Sequence, residues 1–217
     1  QSYKISLYFS SSHSNQTGHG SIQLIKDGSI WVLYQSGIEV HKWPSYGENI
    51  KIITWYREMK GVKAYREFEV YSGNKKIAAA AGVYLYYDIK NRKVRRIPKN
   101  ANTTYSVENE FAFKENLEQW KPVARFDLDF DVNITTRISD FDPIGHVNNS
   151  VYFDYVETML FSYLNKEIKI KTIKIQYAKE IDKSVKIFKS GIFEDEMGYK
   201  FKIFDENRIF AYGEIEI

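Results

Sequence analysis

At 217 residues the chain is long enough for one large domain or for two of about 100 residues each. It has no cysteine, which excludes disulfides, thiolate metal ligands and cysteine nucleophiles, and fits a reducing cytoplasm. A formal net charge of +3 is too small to point to nucleic acid, and no apolar run approaches membrane-span length, about 18 residues. The opening residues carry no basic-then-apolar leader pattern, and a start at Gln1 rather than Met suggests trimming there.

Ser10 to Gly20 is polar and holds His13 and His19, with no acid or cysteine nearby to complete a metal site, so it reads as a surface loop. Period-two alternation follows. Trp31, Leu33 and Tyr34 lead into Ile38 and Val40, with His41 as a surface or packing residue. Asn49 to Tyr56 and Tyr65 to Tyr71 read as further strands. Ile77 to Tyr87 is a long run of small and apolar residues, as expected of a strand buried on both faces. Lys90, Arg92, Lys93, Arg95, Arg96 and Lys99 form a dense basic cluster, either a solvated hairpin or a docking surface for an acidic partner. Lys99 to Pro122 is polar and reads as a connection between halves.

The second half resumes with a strand from Val132 to Ile138. Ser150 to Leu164 then changes period: Val151, Tyr152, Tyr155, Val156, Met159, Leu160, Tyr163 and Leu164 form one apolar stripe at helical spacing. Asn148, Asn149 or Ser150 is its N-cap. Strands are expected from Ile168 to Tyr177, with a phase slip near Thr172, and again at Val185 to Phe193, Tyr199 to Phe204 and Arg208 to Ile217. The halves also repeat. Phe68-x-Val70-Tyr71-x-x-Asn74-Lys75-x-Ile77-Ala78 matches Phe201-x-Ile203-Phe204-x-x-Asn207-Arg208-x-Phe210-Ala211 at a constant offset. Two copies of a helix-plus-antiparallel-sheet unit make an α+β protein.

The chemistry is concentrated between strand and helix, in Ser139-Asp140-Phe141-Asp142-Pro143-Ile144-Gly145-His146-Val147-Asn148-Asn149-Ser150. An acid, a glycine turn, a histidine and two asparagines there precede a helix N-terminus. Such an end presents unpaired N–H groups and a positive dipole. Those groups can bind the oxyanion of an attacked carbonyl, and an adjacent histidine can move protons near neutral pH. The plainer reading is that Asp142, Asn148 and Asn149 cap and turn while His146 packs. No Gly-x-Ser-x-Gly elbow is present.

The string resembles the signature of hot-dog thioesterases, specifically the acyl-ACP thioesterases of bacteria and plant plastids. Trp43-Pro44-Ser45-Tyr46-Gly47-Glu48, Ala64-Tyr65-Arg66-Glu67-Phe68 and Arg95-Arg96-Ile97-Pro98 extend the likeness over residues 30 to 217. The resemblance implies a tandem hot-dog fold, each unit a sheet wrapped around a central helix: an N-terminal unit over 1–99, a linker over 100–124 and a C-terminal unit over 125–217. It implies hydrolysis of fatty acyl-ACP to free acid and holo-ACP, with no cofactor or metal, by a monomer of fused domains or a homodimer. In the family motif Asp-x-Asn-x-His followed by a distant Glu, Asp142, His146 and Glu180 match, whereas Ile144 replaces the asparagine. Glu180, with His146, would activate water; Val147 and Asn148 amides would hold the oxyanion; Asp142 would orient the loop or His146. The spacing alone leaves open whether Glu180 or Asp142 is the base. The basic cluster would dock the acidic carrier. Ser10 to Lys26 leaves room for only a short or incomplete first helix. An acyl-CoA thioesterase and a non-catalytic acyl-binding protein, the latter favoured by Ile144, are the alternatives.

Overall fold

The computed structural model describes residues 21–99 and 107–217. The polar loop with His13 and His19, and most of the short segment expected to hold a first helix, lie outside them. The chain divides into two compact units, residues 1–119 and 120–217.

In the first unit, a short helix α1 (Ser21–Lys26) precedes strands β1 (Ser29–Val40), β2 (Ile50–Lys60), β3 (Lys63–Ser72), β4 (Lys75–Asp88) and the two-residue β5 (Lys93–Val94). All pairings are antiparallel, in the order β2-β3-β4-β1, with β5 on the end of β4. The run from Ile77 to Val83 is buried throughout, as its composition predicts for a central strand. On the neighbouring strand β1, a glycine lets another part of the chain come close: a Cβ on Gly37, which pairs with Ala81, would lie 2.7 Å from the Phe113 ring. Phe113 is held there by the buried Glu67 carboxylate, which accepts the N–H groups of Ala112 and Phe113 (3.2 and 3.3 Å) and the Arg57 Nε–H (3.1 Å). Arg57 in turn stacks over Phe111 at 4.1 Å. A stretch that reads as a polar connection is thus tied down by one buried ion pair.

The second unit contains β6 (Phe130–Thr135), a 3-10 turn (Ile138–Asp140), helix α2 (Val151–Leu164), β7 (Thr172–Tyr177), β8 (Ile187–Asp195), β9 (Gly198–Phe204) and β10 (Ile209–Glu216). Its sheet is antiparallel in the order β7-β10-β9-β8-β6. The stripe on α2 is buried at Val151, Tyr152, Tyr155, Val156, Met159 and Leu160. It rests on the sheet through an edge contact of Tyr155 with Phe188 (5.0 Å) and through Met159 against Ser190 (3.4 Å). Burying these large side chains contributes on the order of 1.5–3 kcal/mol each, so packing rather than propensity holds the helix. The helix ends at Asn165, whose left-handed φ of +50° closes the last turn. Strand β7 begins later than the alternation from Ile168 predicts. Its first ladder pair is Thr172 with Glu216 of β10, and the preceding Lys171 N–H also donates to Glu216 O (2.9 Å).

The sequence repeat is a structural one. Val70 pairs with Ala78 and Ile203 with Ala211; Tyr71 pairs with Lys76 and Phe204 with Ile209. Each hairpin therefore carries a bulge at the same place, Ile77 in one and Phe210 in the other. Each bulge carbonyl accepts two amides from the chain leaving the neighbouring strand. Ile77 O takes those of His41 and Lys42, and Phe210 O those of Ala178 and Lys179, at 2.8 and 3.1 Å in both cases. This shared device fixes where the residue after it stands. In the first unit that residue is Trp43; in the second it is Glu180.

Candidate active site

Three segments of the second unit build the site: the loop between the 3-10 turn and α2, the first turn of α2, and the chain just after β7. The loop is a closed neck. Phe141 and Val147 pair across it, the Asp142 N–H donates to His146 O (2.8 Å), and the Asn148 N–H donates to Asp140 O (2.8 Å). Inside the neck, one oxygen of Asp142 accepts the amides of Ile144, Gly145 and His146 at 2.9, 2.9 and 3.1 Å. Gly145 has φ +93°, which a side chain rarely adopts, so the glycine in the motif is a geometric requirement. The loop then pairs with the segment after β7, with His146 opposite Asp182 and the Val147 N–H donating to Ile181 O (2.9 Å).

That pairing carries His146 to Glu180: Nε2 lies 3.3 Å from the carboxylate, with side chains 34% and 62% exposed. A half-exposed imidazole against an exposed carboxylate is open to water and to a substrate. Asp142, by contrast, points into its own loop, where three amide donors use one of its oxygens. Ile144 is 61% exposed and contributes to the loop through its amide.

The amides of Val147 and Asn148, expected to face an oxyanion, do not do so in this geometry. Both are engaged by backbone carbonyls, of Ile181 and Asp140. That pairing spans segments far apart in the chain, which spacing cannot show. The Asn149 N–H has no acceptor among the described residues, and Asn149 O is anchored by the Tyr177 hydroxyl at 3.2 Å. The N-cap is one of the three residues expected. Ser150 is the N-cap but makes no side-chain cap bond; Asn148 Oδ1 accepts from its N–H (3.0 Å) and Oγ–H (2.9 Å).

Two residues that motif reading assigns no role stand out. Asp140, 1% exposed, accepts the Tyr155 hydroxyl and the Arg137 N–H (both 2.8 Å) and pairs with the Arg137 guanidinium at 2.9 Å. Burial, with the Asp140 hydrogen bond next, pushes the Tyr155 phenol above its ordinary range. The signal available in the sequence was the Asp-x-Asp pair itself, Asp140 and Asp142. Among the described residues no cluster of histidines and acids could hold a metal ion.

The basic cluster lies in the first unit. Lys90, Arg92, Lys93, Arg96 and Lys99 are exposed on the turn after β4, on β5 and beyond. Arg95 is different: it pairs with Asp88 (3.8 Å), donates to Ser29 Oγ (3.3 Å) and lies over the Tyr86 ring at 5.3 Å, so it holds β5 in place.

Comparison with known proteins agrees with the fold. Residues 2–105 match the acyl-ACP thioesterase N-terminal domain and residues 119–215 its C-terminal domain. A chloroplastic palmitoyl-acyl carrier protein thioesterase of Arabidopsis thaliana is 23% identical over 75% of this chain. A chloroplastic acyl-[acyl-carrier-protein] hydrolase of Cuphea viscosissima is 26% identical over 62% of it. The matched regions span only 41% and 34% of those relatives' own lengths. Among solved structures, a 12:0-ACP thioesterase from Umbellularia californica superposes with TM-score 0.83 at 16% identity, covering 100% of this chain and 93% of that one. An acyl-ACP thioesterase from Bacteroides thetaiotaomicron does so with TM-score 0.80 at 20% identity, covering 96% and 85%. The fold is a tandem hot-dog, α+β in class. With both halves matched in order, and the helix-opening loop carried by the second, the chain belongs to the acyl-ACP thioesterase family.

Proposed function

We propose that the chain hydrolyses the thioester joining a fatty acyl chain to acyl carrier protein, releasing free fatty acid and the carrier thiol. The observation that carries this reading is the 3.3 Å contact between His146 Nε2 and Glu180 beside the N-terminus of α2. Glu180 takes a proton from water, directly or through His146, as the water oxygen attacks the thioester carbonyl carbon. The C=O electron pair moves onto oxygen, and we assign that charge to the Asn149 N–H and the positive end of α2, a reading supported by that N–H having no acceptor among the described residues. Collapse of the tetrahedral intermediate breaks the C–S bond, and the proton returns to the leaving thiolate. Asp142 serves as the internal scaffold of the loop, holding three amides, and Glu180 is the base. With Ile144 in place of an amide side chain, no third polar group of the motif orients the water, and the His146–Glu180 pair performs that task alone.

The carrier protein is the partner we assign to the exposed cations Lys90, Arg92, Lys93 and Arg96, whose charge suits an acidic surface. Incubating the purified chain with acyl-ACPs of several chain lengths and measuring free thiol tests the reading, with the matching acyl-CoAs as comparison. Faster release from acyl-ACP supports it; equal or faster release from acyl-CoA moves the assignment to that substrate. Binding of acyl-ACP without thiol release would favour the non-catalytic alternative that Ile144 raises.

A further inference from the structure

We infer that Asp140 is a positioning residue for the reaction: through the Asn148 backbone and the Tyr155 hydroxyl, it sets the place of His146 against Glu180. This rests on the reading of His146 and Glu180 as the reacting pair. Asp140 sits where the chain leaves β6 and enters the loop, and it is 1% exposed. Its contacts run three ways. Its side chain holds the preceding strand end through the Arg137 N–H (2.8 Å) and guanidinium (2.9 Å). It reaches forward to the second turn of α2 through the Tyr155 hydroxyl (2.8 Å). Its carbonyl closes the neck of the loop by accepting the Asn148 N–H (2.8 Å). No other residue of the loop binds both the strand before it and the helix after it among the described hydrogen bonds.

The geometry explains why such a clamp is needed. The described hydrogen bonds of the Asp142 side chain all stay inside the loop and none reaches α2, so it fixes the loop's form and not its placement. His146 meets Glu180 at 3.3 Å, near the outer limit of a hydrogen bond. A displacement of about 1 Å at the neck therefore separates the pair, and misplacements of that size cost about a hundredfold in rate. Tyr155 is well suited to transmit position, because its ring is itself fixed, edge-on to Phe188 at 5.0 Å and tilted to Tyr152 at 6.1 Å. The Arg137 guanidinium balances the buried charge while remaining half in water, where it also approaches Asp154 at 3.7 Å.

Asp140→Ala would leave buried donors unanswered and is prone to misfolding. The test therefore uses Tyr155→Phe, which removes one hydroxyl and keeps the ring, and Asp140→Asn, which keeps the shape. Two readouts are taken on each folded variant: kcat and KM for acyl-ACP hydrolysis, and the ring-nitrogen NMR shifts of His146. Ile203→Val, in the core of the same unit, is the control for lost stability alone. The expected result is a fall in kcat of about tenfold for Tyr155→Phe and more for Asp140→Asn, with KM unchanged and the His146 signals moved in both. The control should lower Tm slightly and move neither. Variants with lowered Tm but unchanged kcat and unchanged His146 signals would overturn the inference and leave Asp140 a purely structural residue. If the wild type releases no thiol from any substrate, the proposed function fails. The His146 signals still decide the positioning claim, because they need no turnover.

Discussion

Glu180→Gln and Asp142→Asn are near-isosteric changes at the two acids of the site, and their structures assign them unequal costs. In Glu180→Gln the amide still fills the space beside His146 Nε2 but cannot take a proton. General-base catalysis is worth about 10²–10⁴ in rate, or roughly 3–5 kcal/mol of barrier. In Asp142→Asn the side-chain oxygen remains to accept the three amides at 2.9, 2.9 and 3.1 Å. What is lost is the charge assistance, on the order of 1 kcal/mol for each bond in a dry site. This loop is half-exposed and its amides can be met by water, so the net loss is about 1 kcal/mol and the effect on kcat less than tenfold. Steady-state thiol release on both variants, with circular dichroism to show that each is folded, gives the comparison. A loss in Asp142→Asn equal to or larger than that in Glu180→Gln would refute the assignment of base and scaffold.

Lys90→Glu with Arg92→Glu should cut kcat/KM on acyl-ACP about tenfold at low ionic strength, less at high salt, and little on acyl-CoA; equal losses on both substrates would remove the docking role. Arg95 is excluded from that pair, because its contacts with Asp88, Ser29 and Tyr86 would confound docking with folding. Gly145→Ala meets no backbone, its nearest neighbour being Lys183 Cε at 3.8 Å, but must adopt φ +93°. The strain is about 1 kcal/mol, a Tm fall of roughly 2–4 °C, and kcat should drop by a larger factor than the stability loss explains; a variant with native kcat would show that the loop tolerates the side chain. Hydrogen bonds from Ser72 and Ser45 hold the Glu48 carboxyl down to about 2, below its ordinary 4.5. Its folded value is the lower one, so its contribution is present above 4.5 and fades as pH falls towards 2. Ser72→Ala should flatten that part of the Tm-against-pH curve, and an unchanged slope would contradict the account.

Much of the architecture is legible in the sequence because it rests on short-range pattern. The strand of alanines from Ala78 to Ala81 reads as buried and is buried. The α2 stripe is read residue by residue, since six of its eight apolar positions form the core face. The paired hairpins are recognisable as a repeat, and their common bulge at Ile77 and Phe210 accounts for it physically. The site is legible as a set of residue types but not as a hydrogen-bond network. Glu180 reads equally well as a solvated charge between lysines until the Phe210 carbonyl is seen to hold Ala178 and Lys179, and the Glu180 carboxylate is seen 3.3 Å from His146 Nε2. Val147 and Asn148 amides look free at a helix start, yet tertiary pairing with Ile181 and Asp140 engages them. Asp140 resembles a local cap because its partner Arg137 is three residues away; only the Tyr155 contact makes it a link to the helix. Residues 111–113 look like linker because the Arg57–Glu67 pair that fixes them is remote in sequence.

The central claim is that the His146–Glu180 pair hydrolyses an acyl-ACP thioester, and the most direct test compares thiol release from a matched acyl-ACP by wild type and by His146→Ala. The account predicts stoichiometric thiol and free fatty acid from the wild type, and a rate lower by about 10²–10⁴ in the folded variant. Thiol release by His146→Ala at the wild-type rate, or none from the wild type at any chain length, would contradict it.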